Sequence, residues 1–118
     1  MAENQKKLRH VEIALNNFKK ENLDISKFIE LENVDDVKGV SPIVKFTIQS
    51  DPISEVGING CQATDMLIYA KCLFESLQDV LPCEENFITI RSLSEAIKWQ
   101  RLRTMNRNRR GVEGKIIQ

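Results

Sequence analysis

The chain has 118 residues, of which 42% are apolar and 29% charged, the profile of one folded domain covering residues 1–118. Its 17 basic and 17 acidic side chains cancel, so no bulk field draws the molecule onto nucleic acid or an anionic membrane. No apolar run approaches the roughly twenty residues of a membrane span, and the polar first seven residues are not followed by a signal-peptide core; a cytoplasmic protein is expected.

From about residue 3 to residue 19, Leu8, Val11, Leu15 and Phe18 recur at spacings of three or four, which predicts an N-terminal helix with one buried stripe. The period then changes. Ile29 and Leu31 alternate with Glu30 and Glu32, and Val44, Phe46 and Ile48 alternate with Lys45, Thr47 and Gln49, as in half-buried strands. Residues 35–39 supply the turn between them, while Ser50-Asp51-Pro52 and Gly57-Ile58-Asn59-Gly60 mark further turns around a short third strand. Helical period returns over about residues 63–79, with Leu67, Ala70, Phe74 and Leu77 on one stripe and Met66, Tyr69 and Leu73 beside it. Pro82 breaks the chain, and a last helix runs from about Glu84 to Arg110, where Gly111 can end it. The expected fold class is α+β: an N-terminal helix, a small antiparallel sheet and two C-terminal helices.

Metal and redox chemistry find little footing. Cys61, Cys72 and Cys83 lie eleven apart, matching neither a zinc ribbon nor a Cys-x-x-Cys pair, and read as reduced and structural. The single histidine, His10, sits in a charged amphipathic segment and reads as a surface residue. There is no phosphate-binding glycine loop, serine elbow or pair of histidines. Asp35-Asp36 and Glu84-Glu85 are sequence neighbours in a turn and a first helical turn, contexts of solvated charge or capping. A non-enzymatic protein without metal or cofactor is expected.

Neutrality hides an asymmetry: residues 1–20, 21–65, 66–100 and 101–118 carry net charges of +3, −6, −2 and +5. On the last helix Leu93, Ala96, Gln100, Arg103, Arg107 and Arg110 follow spacings of three or four and share one face. Two readings of that arginine row stand side by side. Cations near a helix C-terminus complement the macrodipole by up to about 1 kcal/mol each and stay solvated. Alternatively the planar guanidinium forks grip the oxygens of a small phosphorylated ligand. Phe74, Tyr69, Phe87 and Trp99 could stack on a base, although aromatic residues at helical spacing are more often core.

Three stretches carry a family resemblance: residues 57–65 (Gly-Ile-Asn-Gly-Cys-Gln-Ala-Thr-Asp), residues 81–86 (Leu-Pro-Cys-Glu-Glu-Asn), and the ending Arg103-Thr104-Met105-Asn106-Arg107-Asn108-Arg109-Arg110-Gly111-Val112-Glu113-Gly114. Over about residues 44–114 the chain resembles the phage-encoded Thoeris anti-defence sponge family, in particular its first-described type. Its arginine-rich ending is also similar to related phage sponges that capture cyclic dinucleotides, the anti-CBASS kind. The resemblance implies a binder that sequesters, uncleaved, a cyclic ADP-ribose isomer made from NAD by bacterial TIR-domain sensors, in the host cytoplasm. It also implies homodimers or larger homo-oligomers with pockets between protomers, and in some members a separate site for cyclic oligonucleotides; the charge balance and the lack of a long apolar run add the expectation of no nucleic-acid or membrane partner. Carried onto this chain, Arg103 and Arg107 are the phosphate donors, Asn86 a ribose or base contact, and Gln62 and Asp65 readers of polar ligand edges. Phe74 and Arg110 join the ligand-binding set, Arg110 with the alternative of pairing with Glu113, while Gly57, Asn59 and Gly60 shape a turn.

One length argument is independent of the resemblance. A continuous helix from Asn86 to Arg103 separates them by about 25 Å at 1.5 Å per residue, more than one mononucleotide-sized ligand spans. If both touch one ligand, a partner chain's helix lies antiparallel and two equivalent pockets arise about a twofold axis. The alternative from another class is a small phage nucleic-acid-binding or transcription-modulating protein that sets its basic helix end on backbone phosphates.

Overall fold

A computed structural model describes residues 10–32 and 42–109. Helix α1 (His10–Glu21) leads through a 3-10 turn (Leu23–Phe28) into strand β1 (Ile29–Glu32); β2 (Ile43–Phe46), a one-turn helix α2 (Ile53–Val56), α3 (Ala63–Val80) and α4 (Glu84–Arg109) follow. This is the anticipated helix, antiparallel sheet and C-terminal helices. The first part of the expected N-terminal helix, the turn at residues 35–39, and Arg110, Gly111 and Glu113 lie outside the described residues.

The two strands pair antiparallel with Ile29 opposite Phe46 and Leu31 opposite Val44, so alternation puts these four side chains on the core face. On the other face Lys45 reaches Glu32 at 3.0 Å and Glu30 at 3.9 Å. The core joins this sheet to α1 and α3: Ala14, Leu15, Phe18, Ile29, Tyr69 and Cys72 are buried together. Tyr69 stands edge-on to both Phe18 and Phe46, with ring centroids 6.2 and 5.8 Å apart, the geometry favoured by aromatic quadrupoles. Its hydroxyl donates to the Val11 carbonyl at 3.2 Å, which pins α1 to α3.

Helix α3 is central, packing against α1 on one side and α4 on the other. Its fully buried line is therefore Tyr69, Cys72 and Ser76, whereas the expected stripe of Leu67, Ala70, Phe74 and Leu77 is half-buried. Two neighbours divide the apolar surface between them. His10 is also more enclosed than its surface reading: it is half-buried, with Nδ1 3.4 Å from the Ser76 hydroxyl.

The expected third strand is not formed among the described residues. Past Phe46 the chain leaves the antiparallel ladder, and Ile48 makes a single parallel bridge with Cys61. Asp51 at φ 64° turns the backbone, and Pro52, with φ near its ring-fixed value, leads into α2. Gly57 at φ 75° then ends that turn in a conformation that side chains with a Cβ resist.

Helix α4 runs unbroken for 26 residues, about 39 Å. Its start is fixed by Gln78 of α3, whose side-chain amide accepts from the Cys83 N–H at 3.1 Å and donates to the Cys83 carbonyl at 3.2 Å. Among the described residues no helix is long and apolar enough to cross a membrane.

Two outcomes are expected. Phe18→Ala should cost about 3–5 kcal/mol in a urea titration, because a fully buried ring leaves a cavity at the α1–α3–sheet junction. Burial, then the neighbouring Cys72, pushes Tyr69 from its ordinary 10.0 up to about 12. The unfolded chain loses this proton first, so stability is intact below pH 10 and drains by about 1.4 kcal/mol per pH unit up to the folded value. Alkaline titration of Tyr69→Phe should show a correspondingly shallower loss, on top of a lower baseline from the missing hydroxyl.

Candidate functional site

The site grows from the loop that links the sheet to α3. Gln49 organises it from within: its side-chain amide donates to the Gly57 carbonyl at 2.8 Å and accepts from the Asn59 N–H at 2.9 Å. Asn59 answers by accepting from the Ser50 N–H at 2.9 Å and donating to the Ser50 hydroxyl at 2.9 Å. Cys61 then ties the loop to the sheet, its N–H donating to Thr47 at 2.6 Å and its carbonyl accepting from Gln49 at 2.8 Å. These bonds bring Gly60 so close to Ile48 that an added Cβ would sit 2.5 Å from the Gln49 nitrogen and nearer still to the Ile48 carbonyl carbon. Asn59, Gly60 and Gly57 thus shape the turn, as their types suggest.

Anchored in this way, the chain enters α3 with Gln62 before its first turn. The Asp65 carboxylate accepts from the Gln62 N–H at 2.7 Å, half of a capping box. Burial pushes the Asp65 carboxyl above its ordinary range, and this Gln62 bond only partly offsets it. A carboxylate so placed is short of water and gains from a ligand hydroxyl or amine that donates to it.

Gln62 and Asp65 line one cleft of about 630 Å³, together with Glu21 and Asn22 at the end of α1, Asp24, the apolar Ile53 and Ile58, and Thr104 of α4. The volume falls within the range of about 300–1,000 Å³ usual for small-molecule sites. Three carboxylates and no cation line it among the described residues. Such a wall suits sugar hydroxyls and base amines and repels phosphate.

The other expected site residues do not gather here. Arg103 is exposed and, with Trp99, Leu102, Asn106 and Arg109, lines a separate hollow of about 450 Å³ on the outward side of α4. Arg107 is only 8% exposed, lies on the same face of the helix as Ile97 and Thr104, and is engaged within the structure. The guanidinium row is therefore split between two faces, because over 26 residues the inward line drifts from Leu93 through Ile97 and Thr104 to Arg107. Asn86 is half-buried at the far end of α4, its N–H donating to Cys83 Sγ at 3.4 Å. Phe74 is half-buried on α3 and is absent from the described lining of this cleft. Arg110 lies outside the described residues.

Thr104, Glu21 and Asp24 escaped the reading of the residues, although Thr104 stands inside the arginine-rich motif next to Arg103. Following Ile97 through Arg101 to Thr104, spacings of four and three, would have found it. A third hollow, of about 310 Å³ between α1, α3 and α4, is lined by Lys71, Cys72, Lys98 and Arg101 among others. The Cys72 thiol is pushed up to about 11 by burial and the nearby Glu75 and Glu21. Burial, then Asp65, also raises Cys61, so both thiols stay protonated and unreactive at neutral pH. Among the described residues no group of three or more His, Cys, Asp or Glu side chains is arranged to hold a metal.

No family model matches the chain. It is, however, 35% identical over 82 residues to Thoeris anti-defense 1 of Bacillus phage SBSphiJ7, a match that takes in 69% of this chain and 56% of that protein. The matched stretch thus spans about half the length of the curated relative.

The geometry distinguishes the two glycines. Gly60→Ala should destabilise the protein by about 1–3 kcal/mol, since backbone atoms of residues 48 and 49 must move. Gly57→Ala meets open space and carries only its dihedral strain, on the order of 1 kcal/mol. Thermal melts of the two variants check the order.

Proposed function

Because the chain belongs to the Thoeris anti-defense 1 family, we propose that it is a phage protein that sequesters a TIR-derived cyclic ADP-ribose isomer in the bacterial cytoplasm and keeps it from the Thoeris effector. The observation that carries this reading is the cleft walled by Gln62 and Asp65, within a stretch that resembles the sponges, and closed by Thr104 from the arginine-rich motif. Asp65, Asp24 and Glu21 accept from ribose hydroxyls or a base amine, the Gln62 amide reads a second polar edge, and Ile53 and Ile58 cover the apolar face. Holding a ligand in this way needs no bond to break. A sponge requires slow release, which partly desolvated, charge-assisted hydrogen bonds favour.

The outward side of α4 supports an assembly. Trp99 is 59% exposed and Met105 54%, with Leu102 between them, while Phe87 and Ile88 are exposed near the other end of the helix. Two α4 helices packed antiparallel would cover both apolar ends and bring the partner's Asn86 beside Arg103. The hollow of Trp99, Arg103, Asn106 and Arg109 offers an aromatic face flanked by two guanidinium groups, a setting for a cyclic oligonucleotide at a second site. A contact with nucleic-acid backbone along the helix end finds less support, since Arg107 is withdrawn from the exposed row.

Calorimetric titration with a panel of cyclic ADP-ribose isomers tests the reading. The wild type should bind one of them, heating the complex should return it chemically unchanged, and Asp65→Asn and Thr104→Val should each weaken binding by roughly tenfold. Binding of none of the panel, or release of a cleaved product, contradicts it.

A further inference from the structure

The loop between β2 and α3 carries a reactive pair that the proposed binding does not use. Of the nine asparagines in the chain, Asn59 alone is followed by glycine. In an open chain such a pair is chemically labile, because the glycine nitrogen has no neighbouring Cβ to shield it and its backbone rotates freely. That nitrogen attacks the side-chain carbonyl carbon Cγ of the asparagine and gives up its proton to water. The Cγ–Nδ2 bond breaks and ammonia leaves. Another water then opens the cyclic imide at either carbonyl, leaving aspartate or isoaspartate. Water is the only co-reactant.

The fold opposes both movements that this reaction requires. The Asn59 amide must swing onto the Gly60 nitrogen, yet it is turned toward Ser50. Its Oδ1 accepts from the Ser50 N–H at 2.9 Å, and its Nδ2 donates to the Ser50 hydroxyl at 2.9 Å and to the Ser50 carbonyl at 3.2 Å. The Asn59 N–H in turn donates to Gln49 Oε1 at 2.9 Å. The peptide joining residues 59 and 60 must also rotate, and Gly60 is buried against the backbone of Ile48 and Gln49 with no room for even a methyl group. This clasp nevertheless lies near the surface: Ser50 is exposed and Asn59 half-buried. Water competes for its bonds, so the loop opens while the core of Phe18, Ile29 and Tyr69 stays shut.

We propose that Asn59 is a latent deamidation site, kept intact by its clasp with Gln49 and Ser50 and converted during local openings of the loop. This goes beyond the sequestration reading and does not depend on it. Conversion is one-way and disables the clasp that delayed it. A carboxylate at position 59 still accepts from the Ser50 N–H, but it has no hydrogen to give the Ser50 carbonyl, whose oxygen it repels. Isoaspartate adds a methylene to the main chain where Gly60 already lies against Ile48. Both products loosen the loop that sets the start of α3, and the protein ages into a less stable form.

Peptide mapping by mass spectrometry, after incubation of the full-length protein at one pH and temperature, reads the conversion directly. The folded wild type should deamidate at residue 59 at least about tenfold more slowly than the same protein in guanidinium chloride. In the denaturant Gly60→Ala should slow the reaction, since a Cβ then shields the nitrogen. Under folding conditions Gln49→Ala should speed it roughly tenfold, whereas Ile29→Val, which trims the buried core and leaves the clasp whole, should change it by less than about twofold. Asn59→Asp should melt below the wild type. Equal rates in the folded and denatured wild type overturn the proposal. So does acceleration by Ile29→Val as large as that by Gln49→Ala, which would place the reaction in the globally unfolded chain. A melting point of Asn59→Asp equal to that of the wild type contradicts the loss of the clasp.

Discussion

The close approach of Gly60 to the Ile48 backbone is the constraint on which the site depends. Only a residue without a Cβ lets the loop lie against the end of the sheet, where Cys61 bonds to both Thr47 and Gln49. That contact fixes where α3 begins. The start of α3 fixes Gln62 and Asp65, and the Tyr69 contacts to Phe18 and Val11 hold α1 so that Glu21 and Asn22 stand across from them. The cleft is the space left between these anchored parts. Its geometry is inherited from backbone packing at one glycine and from an aromatic cluster two helical turns further along α3.

Much of the fold was legible because its periods are clean. The three–four spacing of Val11, Leu15 and Phe18, the alternation about Ile29 and Val44, and the breaks at Pro52 and Pro82 each correspond to an element or a boundary. The expected third strand has no counterpart among the described residues, since Gly57-Ile58-Asn59-Gly60 signals a turn without saying what the turn joins. Its partner turned out to be a parallel bridge made through long-range backbone bonds, which leave no local pattern. The candidate cleft is legible in the sequence only in part. Gln62 and Asp65 fall together in the cleft, but the spacing that sets the arginine row on one face does not hold over a helix long enough for the buried line to precess, taking Arg107 inward and leaving Arg103 outside. Glu21, Asp24 and Thr104 come from three elements, and their convergence is a property of packing that no single segment encodes.

The zero net charge conceals a local separation of charge. An acidic cleft and a cation-rich hollow lie side by side along the α3–α4 groove, divided by the end of α1.

A crystal structure of the protein grown with a cyclic ADP-ribose isomer tests the central claim most directly. The account predicts an unbroken cyclic ligand in the cleft, with Asp65 and Thr104 within hydrogen-bond distance of its nucleoside. Density for the ligand elsewhere on the molecule, with the cleft between α1 and the start of α3 holding only solvent, would contradict it.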